Sequence, residues 1–149
     1  MTKIEKIFQN GPISVHGEGE MVTLGERLAG ALSGGEVIGL VGELGAGKTH
    51  LVQGILRGLG AGQPGASPTF SLVHEHNDGR LPVAHFDFYR MRDPQEATGL
   101  GWEEYLAGGA VLLVEWADRF DGVLMPPGTL WLVLEHTGPD TRLVSAAGE

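Results

Sequence analysis

The stretch VIGLVGELGAGKTH, residues 37–50, joins a short apolar run directly to a glycine-rich loop. Residues 37–41 are almost entirely apolar, which is typical of a strand covered on both faces. Residues 42–49 match the pattern G-x-x-x-x-G-K-[ST] in full, and leucine and isoleucine side chains four apart predict a helix over residues 48–59. A strand, a glycine loop and a helix in this order predict a phosphate-binding loop.

Each part of this loop offers a different interaction to a nucleotide. Glycines adopt positive φ, so backbone N–H groups can approach phosphate oxygens, and the N-terminus of the following helix adds partial positive charge. Lys48 can reach the β- and γ-phosphates, and the Thr49 hydroxyl can ligate Mg²⁺. The predicted nucleotide-binding residues of the loop are Gly42, Glu43, Leu44, Gly45, Ala46, Gly47, Lys48, Thr49 and His50.

Two acidic residues near predicted strand ends can complete the site. A phosphate loop that uses Mg²⁺ needs a carboxylate at the end of a neighbouring strand. Glu115 follows the apolar run 111–114, and Asp87 lies in the segment HFDFYR. We predict that Glu115 serves the metal or its water shell, and that Asp87 orients water near the γ-phosphate. Lys48, Asp87 and Glu115 are the predicted catalytic residues, and Thr49 and Glu115 the predicted metal-binding ones; which carboxylate contacts Mg²⁺ directly stays open.

Four further side chains have a functional and a structural interpretation. Thr69, in the segment SPTF, either senses the γ-phosphate, as switch loops do, or is a polar residue at the start of a strand. Trp116 belongs to the core or anchors a partner protein. Arg90 and Arg119 are expected to form surface ion pairs rather than to stabilise a transition state. Thr69 is therefore added to the predicted nucleotide-binding residues, and Trp116 is predicted to support the nucleotide site or a partner contact.

Histidines near the predicted hairpin raise the question of a metal site. A turn at residues 78–79 would place His74, His76, His85 and Asp87 on one face of the sheet, because side chains alternate along strands. Such a set can bind zinc. We expect Asp87 to serve the nucleotide instead, so a zinc site is not the favoured interpretation.

The composition limits the possible partners. The chain has 149 residues, 25 of them glycine, no cysteine and a net charge of −9, which disfavours direct binding of RNA or DNA and allows docking on a basic protein. No apolar run approaches the roughly 20 residues of a membrane span. The first ten residues lack the apolar stretch of a secretory signal. We therefore expect a cytoplasmic protein with no membrane or DNA partner.

The remaining pattern predicts one α/β domain over residues 1–149, a P-loop NTPase-like mixed sheet flanked by helices. A hairpin is predicted through residues 77–80, and a second one closes the chain. Strands are predicted at 13–16, 37–41, 70–76, 82–89, 110–115, 130–135 and 142–145. Helices are predicted at 20–32, at 48–59 and at 94–106, the last with Asp93 as its N-cap and interrupted near 99–101.

The base of the nucleotide follows from what the chain lacks. The guanine-reading pattern N/T-K-x-D and the D-x-x-G pattern of Ras-type GTPases do not occur in the sequence. ATP is therefore the expected nucleotide. A small-molecule kinase is the nearest alternative, although ten dispersed basic residues suggest no arginine-bearing lid. A nucleotide-dependent binding module without turnover is a third possibility.

Four motifs in this order resemble the TsaE (YjeE) family of bacterial ATPases in tRNA threonylcarbamoyladenosine biosynthesis. They are GELGAGKT at 42–49, SPTFSLV at 67–73, HFDFYR at 85–90 and the pair Glu115-Trp116. The phosphate loop alone is generic, whereas the other three together are specific, and with their flanks the resemblance runs from about residue 24 to 116.

The resemblance implies an ATPase that is weak alone and acts with the TsaD–TsaB heterodimer, which modifies the adenosine beside the anticodon. ATP turnover would reset that complex between cycles, and tRNA would be contacted only indirectly. Carried over, Lys48 and Thr49 hold phosphate and Mg²⁺, Glu115 serves the metal, and Asp87 is required for turnover. Thr69 is the switch-like residue, and Trp116 supports the nucleotide site or a partner contact.

Overall fold

A computed structural model describes residues 2–43, 45–61 and 73–147 of the chain. Two predicted nucleotide-binding residues, Leu44 and Thr69, lie outside these ranges, as does most of the SPTFSLV motif.

The described residues form seven strands, five α-helices and one short 3₁₀ helix. The strands are β1 (Ile13–His16), β2 (Val37–Val41), β3 (Val73–His76), β4 (Val83–Asp87), β5 (Val111–Glu115), β6 (Leu130–His136) and β7 (Thr141–Ala147). The helices are α1 (Lys3–Ile7), α2 (Gly17–Gly30), α3 (Lys48–Gly58), α4 (Gln95–Gly99) and α5 (Trp102–Ala107), and the 3₁₀ turn is Arg119–Gly122. Strands β1 and β2 have the predicted bounds, and β5 begins one residue after the predicted start.

All seven strands join one mixed sheet in the order β1-β7-β6-β2-β5-β4-β3. The four central strands β6, β2, β5 and β4 are mutually parallel, while β3 and the pair β7–β1 add antiparallel edges. The predicted α/β class with a mixed sheet flanked by helices is confirmed. Because β2, β5 and β4 are parallel neighbours, their carboxyl ends meet at one edge of the sheet, where ligands bind in open α/β folds.

Alternate side chains of the central strands pack into two apolar layers, one on each face. On one face, Ile38, Leu40 and Leu113 pack with residues of α2 and α3 such as Leu28 and Ile55. On the other face the layer includes Phe86, Leu112 and Val114, with Ala97 of α4 and Trp102 of α5. Burial on both faces is the physical reason why these strands read as continuous apolar runs.

The helices α2 and α3 approach each other through glycines. A Cβ on Gly25 would lie 2.7 Å from the backbone nitrogen of Ile55, and a Cβ on Gly54 would collide with the backbone carbonyl of Val22. This close packing fixes α3, whose first turn contains Lys48 and Thr49 of the predicted phosphate loop.

Gly54→Ala is therefore expected to destabilise the protein by about 2–4 kcal/mol, because the methyl group would force the helix backbones apart. Gly19→Ala in α2 is the control, since a Cβ there meets nothing within 4 Å and the change is expected to be neutral or slightly stabilising. Urea unfolding of both variants measures the difference. Equal free energies of unfolding would contradict the close approach of the two helices.

Helix α1 is the one described α-helix that the sequence pattern did not predict, and the short 3₁₀ helix was not predicted either. It begins at a capping box, in which the Thr2 hydroxyl accepts from the N–H of Glu5 and the Glu5 carboxylate accepts from the N–H of Thr2. Ile4 and Phe8 join the core beside α2. Among the described residues, no helix is both long and apolar enough to cross a membrane.

Candidate functional site

The glycine loop connects β2 to α3, as predicted. Gly45 and Gly47 have φ of +80° and +100°, a region that only glycine adopts readily, and Gly47 is the N-cap of α3. Ala46 is buried and donates its N–H to the carbonyl of Glu43, which closes a tight turn. The two glycines thus allow the sharp return of the chain that brings Lys48 and Thr49 into the first helical turn.

Lys48 is the central charged group of this site. Its ammonium is buried and donates to the carbonyl oxygens of Gly42 and Glu43, the second at 3.0 Å. Burial lowers the pKa of Lys48, while the negative charges of Glu115 and Asp87 oppose that shift. The ammonium therefore lies against the loop backbone and within electrostatic range of the two predicted acidic residues.

The two carboxylates come from neighbouring strands. Asp87 is the last residue of β4 and Glu115 the last of β5, and the two are directly paired across the parallel ladder. In the next pair of strands, Glu115 is paired with Leu40, just before the glycine loop. The structure thus brings together the three predicted catalytic residues, Lys48, Asp87 and Glu115, from sequence positions up to 67 residues apart. Their catalytic roles stay predictions.

Glu115 is buried and has a specific partner. Its Oε2 lies 2.6 Å from Nε2 of His85, which is itself 1% exposed. His85 stands two residues before Asp87 on β4, so the two side chains project from the same face of the strand. The sequence pattern placed His85 on this face but not beside Glu115, because the register of β4 against β5 is not visible in either segment alone.

Trp116 follows Glu115 in a conformation that is rare for a bulky residue, with φ of +58°. The Lys48 ammonium lies 4.2 Å from the centre of its ring, within cation–π distance, and the Tyr89 ring lies 4.7 Å away. Trp116 is partly buried and packs against the second apolar layer, whereas Tyr89 is 46% exposed. Trp116 therefore packs on the core and borders the site, while its predicted contact with a partner protein stays a prediction.

The structure also shows the surroundings of Thr49, His50 and Arg119. Thr49 is half-buried in the first turn of α3. The His50 ring faces α2, where its Nε2 lies 3.5 Å from the Glu18 carboxylate. The Arg119 guanidinium donates twice to the Met91 carbonyl and lies over the Phe120 ring, so it supports the backbone beyond β5.

His74, His76 and His85 share one face of the hairpin, as predicted, but the register differs by two residues from the assumed turn at 78–79, since His74 lies opposite His85 and His76 opposite Val83. In the described ranges, no group of three histidine, aspartate or glutamate side chains is arranged to hold a metal ion. Burial lowers the pKa of His76, with the nearby His85 and His74 acting in the same direction.

Arg142 is a residue beside the loop that the sequence did not single out. Its guanidinium, on β7, donates to the carbonyl of Gly45 at 3.2 Å, and the His136 ring lies next to the same glycine. The contact joins residues 97 positions apart, so no local pattern points to it. The C-terminal hairpin thereby holds one side of the glycine loop.

Asp87 gives the site a measurable pH dependence. Burial raises the pKa of its carboxyl above the ordinary 3.8, although the N–H of Tyr89 donates to it and opposes the shift. Between the unfolded pKa and the raised folded one, the folded state binds more protons, so stability falls as pH rises through that window.

Asp87→Asn is expected to remove this loss, because asparagine does not ionise and its carbonyl can still accept from Tyr89. Urea unfolding of the wild type and the variant from pH 4 to 7 measures the difference. The variant should gain stability relative to wild type as pH rises. A difference that stays constant, or that changes in favour of the wild type, would contradict a raised pKa.

Comparisons with known proteins find similarity over most of the chain and not only at the glycine loop. The family model described as Threonylcarbamoyl adenosine biosynthesis protein TsaE matches residues 15–144. A relative from Bacillus subtilis (strain 168), named tRNA threonylcarbamoyladenosine biosynthesis protein TsaE, is 44% identical over 111 residues, covering 74% of this chain and 68% of the relative. A relative of the same name from Nostoc sp. (strain PCC 7120) is 44% identical over 102 residues, covering 66% of this chain and 62% of that protein.

A solved structure has the same fold as this chain. The crystal structure of Bacillus subtilis YdiB superposes with a TM-score of 0.75 at 33% identity, covering 93% of this chain and 85% of that one. The described sheet, its strand–loop–helix unit and this superposition together give a P-loop NTPase-like fold. The family match spans most of the chain, from β1 to β7, and includes every predicted site residue. The chain therefore belongs to the TsaE family of threonylcarbamoyl adenosine biosynthesis proteins.

Proposed function

We propose that this protein is a Mg²⁺-dependent ATPase of tRNA threonylcarbamoyladenosine biosynthesis. The observation that carries the proposal is the position of Asp87 and Glu115 at the paired ends of β4 and β5, on the sheet edge of the glycine loop, where their negative charges act on the Lys48 ammonium. Phosphoryl transfer needs little covalent chemistry from a protein and depends on positioning and charge stabilisation. A buried cation and two carboxylates at one edge of the sheet suit that requirement.

The residues present fit Mg²⁺ and ATP by their chemistry. Mg²⁺ prefers oxygen ligands, and the Thr49 hydroxyl and the Glu115 carboxylate are the proposed ones. When bound, the ion would neutralise charge on the β- and γ-phosphates. The proposed nucleotide contacts are the backbone of residues 42–47, Lys48, Thr49 and His50, with Thr69 near the γ-phosphate.

The division of work among the catalytic residues follows from their environments. Lys48 exchanges its present bonds to the Gly42 and Glu43 carbonyls for phosphate oxygens. Asp87, whose carboxyl already has a raised pKa, orients the attacking water and can take its proton. Trp116, beside Lys48, supports the ammonium and borders the surface that a partner would cover.

The proposed partner is a TsaD–TsaB-type complex, on which ATP turnover acts by resetting it between cycles. A net charge of −9 supports contact with a protein and leaves tRNA to be held by the partner. Hydrolysis by the isolated chain is proposed to be slow and to be stimulated by that complex. Because the pathway modifies tRNA, we place the protein in the cytoplasm.

ATP consumption by the purified chain, with and without purified TsaD–TsaB, tests the proposal. Strong stimulation that requires Mg²⁺ and is absent in Asp87→Asn is the expected result. Transfer of phosphate to a metabolite would favour the alternative of a small-molecule kinase. Tight ATP binding with no turnover in either condition would favour a binding module and overturn the ATPase assignment.

A further inference from the structure

His85 forms a buried hydrogen bond at the edge of the candidate site. Its Nε2 lies 2.6 Å from Oε2 of Glu115, and the two side chains are 1% and 5% exposed. The residues stand on neighbouring parallel strands that are buried on both faces. A bond this short between two groups held by a rigid sheet is a fixed feature of the site, unlike a solvent-exposed ion pair.

The direction of this hydrogen bond follows from the donor inventory of the two groups. A carboxylate that serves a metal ion can only accept, so in the proposed site Nε2 of His85 is the donor of this bond. Nδ1 of His85 is buried and makes no hydrogen bond with any residue in the described ranges. A ring with its N–H at Nε2 leaves an acceptor rather than an unpaired N–H at Nδ1, which fits these surroundings.

We propose that His85 is a positioning residue that fixes the Glu115 carboxylate through Oε2 and leaves Oε1 to serve the cation or its water. This inference rests on the proposed function, in which Glu115 is a metal-site residue. Histidine is suited to the task because its ring is rigid and its nitrogen donates along one direction. Groups that orient a metal ligand in this way are typically worth 10–100-fold in metal affinity or activity.

The binding of Mn²⁺, used in place of Mg²⁺, tests the inference without relying on activity. Electron paramagnetic resonance of the full chain with a non-hydrolysable ATP analogue measures the Mn²⁺ affinity. His85→Phe keeps a ring in the buried space but removes the donor, and we expect about 10–100-fold weaker Mn²⁺ binding. His85→Gln can place an amide N–H near Nε2, so it should recover most of that loss.

His74→Phe is the matched control. His74 is directly opposite His85 in the β3–β4 hairpin but is more exposed. The hydrogen bond to Glu115 comes from His85, so replacing His74 leaves that bond in place. The control is expected to keep the wild-type Mn²⁺ affinity. Nucleotide affinity without metal should stay unchanged in all three variants, because the glycine loop and Lys48 are intact.

A double-mutant cycle separates positioning from general support of the fold. If His85 acts through Glu115, adding His85→Phe to Glu115→Gln should weaken Mn²⁺ binding no further than Glu115→Gln does alone. Full additivity of the two losses would overturn the inference. Wild-type affinity in His85→Phe would overturn it too, whereas a wild type that binds no Mn²⁺ with nucleotide would overturn the proposed metal site itself.

The wild-type protein supplies a second test in case the buried phenylalanine prevents folding. Nitrogen-15 spectra of the His85 ring should show a protonated Nε2 and an unprotonated Nδ1, with the Nε2 resonance moved by Glu115→Gln. A ring protonated at Nδ1 alone would show that His85 does not donate to Glu115 and would overturn the inference.

Discussion

Lys48→Ala is expected to lower the affinity for Mg–ATP by at least about 100-fold, or about 2.8 kcal/mol. The ammonium is the buried cation that lies against the loop carbonyls, and charge-assisted hydrogen bonds to phosphate are the strongest that the loop can make. Isothermal titration with ATP and Mg²⁺ measures the loss.

Lys6→Ala is the control for this prediction, because Lys6 is exposed on α1 and belongs to no part of the candidate site. Urea unfolding should accompany the titration, since the alanine variant also loses the bonds from Lys48 to Gly42 and Glu43. A folded Lys48→Ala protein that binds Mg–ATP as tightly as the wild type would contradict the proposal that the phosphate loop binds ATP through Lys48.

The second large effect concerns turnover. Asp87→Asn and Glu115→Gln are each expected to lower kcat for ATP hydrolysis by about 10²–10⁴-fold, because one removes the proposed base and the other a proposed metal ligand charge. Initial rates at saturating Mg–ATP, in the presence of the partner complex, measure the loss.

Glutamine is a more specific replacement for Glu115 than alanine. Its amide oxygen can still accept from His85, whereas alanine would leave the His85 N–H buried and unpaired, at a cost of about 1–3 kcal/mol in stability. Glu103→Gln on the exposed side of α5 serves as the control for loss of a carboxylate. Hydrolysis at the wild-type rate in either site variant would overturn the role proposed for that residue.

Much of the fold could be predicted because its signals are local. The apolar run of β2, the loop glycines and the spacing of Leu51 and Ile55 each indicate an element without reference to the rest of the chain. Gly60 also ends α3 as its sequence position suggests, with φ of +76° and the N–H of Ala61 donating to the Leu56 carbonyl.

Helix α1 shows that a local signal can be present and still be too short to stand out. Its Thr2–Glu5 capping box is readable in the sequence, but five residues give no helical period. Helix α4 begins at Gln95, one residue after the predicted first helical residue Pro94, and the Asp93 carboxylate accepts from the N–H of Gln95.

The candidate site could be predicted as a set of residues but not as an arrangement. Asp87 and Glu115 were identifiable as acids at strand ends, whereas their direct pairing depends on the β4–β5 register. The bond between His85 and Glu115 and the contact of Arg142 with Gly45 depend on strand order, which no single segment encodes. Long-range contacts of this kind are set by the packing of the whole sheet.

The number of threonylcarbamoyladenosine modifications made per TsaD–TsaB complex tests whether ATP hydrolysis by this chain resets that complex. Purified TsaD–TsaB would receive tRNA, the threonylcarbamoyl donor, Mg–ATP and either the wild-type chain or Asp87→Asn. We expect many modified tRNAs per complex with the wild type and no more than about one with Asp87→Asn. Equal multiple turnover with the two proteins would contradict the claim that ATP hydrolysis by this chain resets the complex.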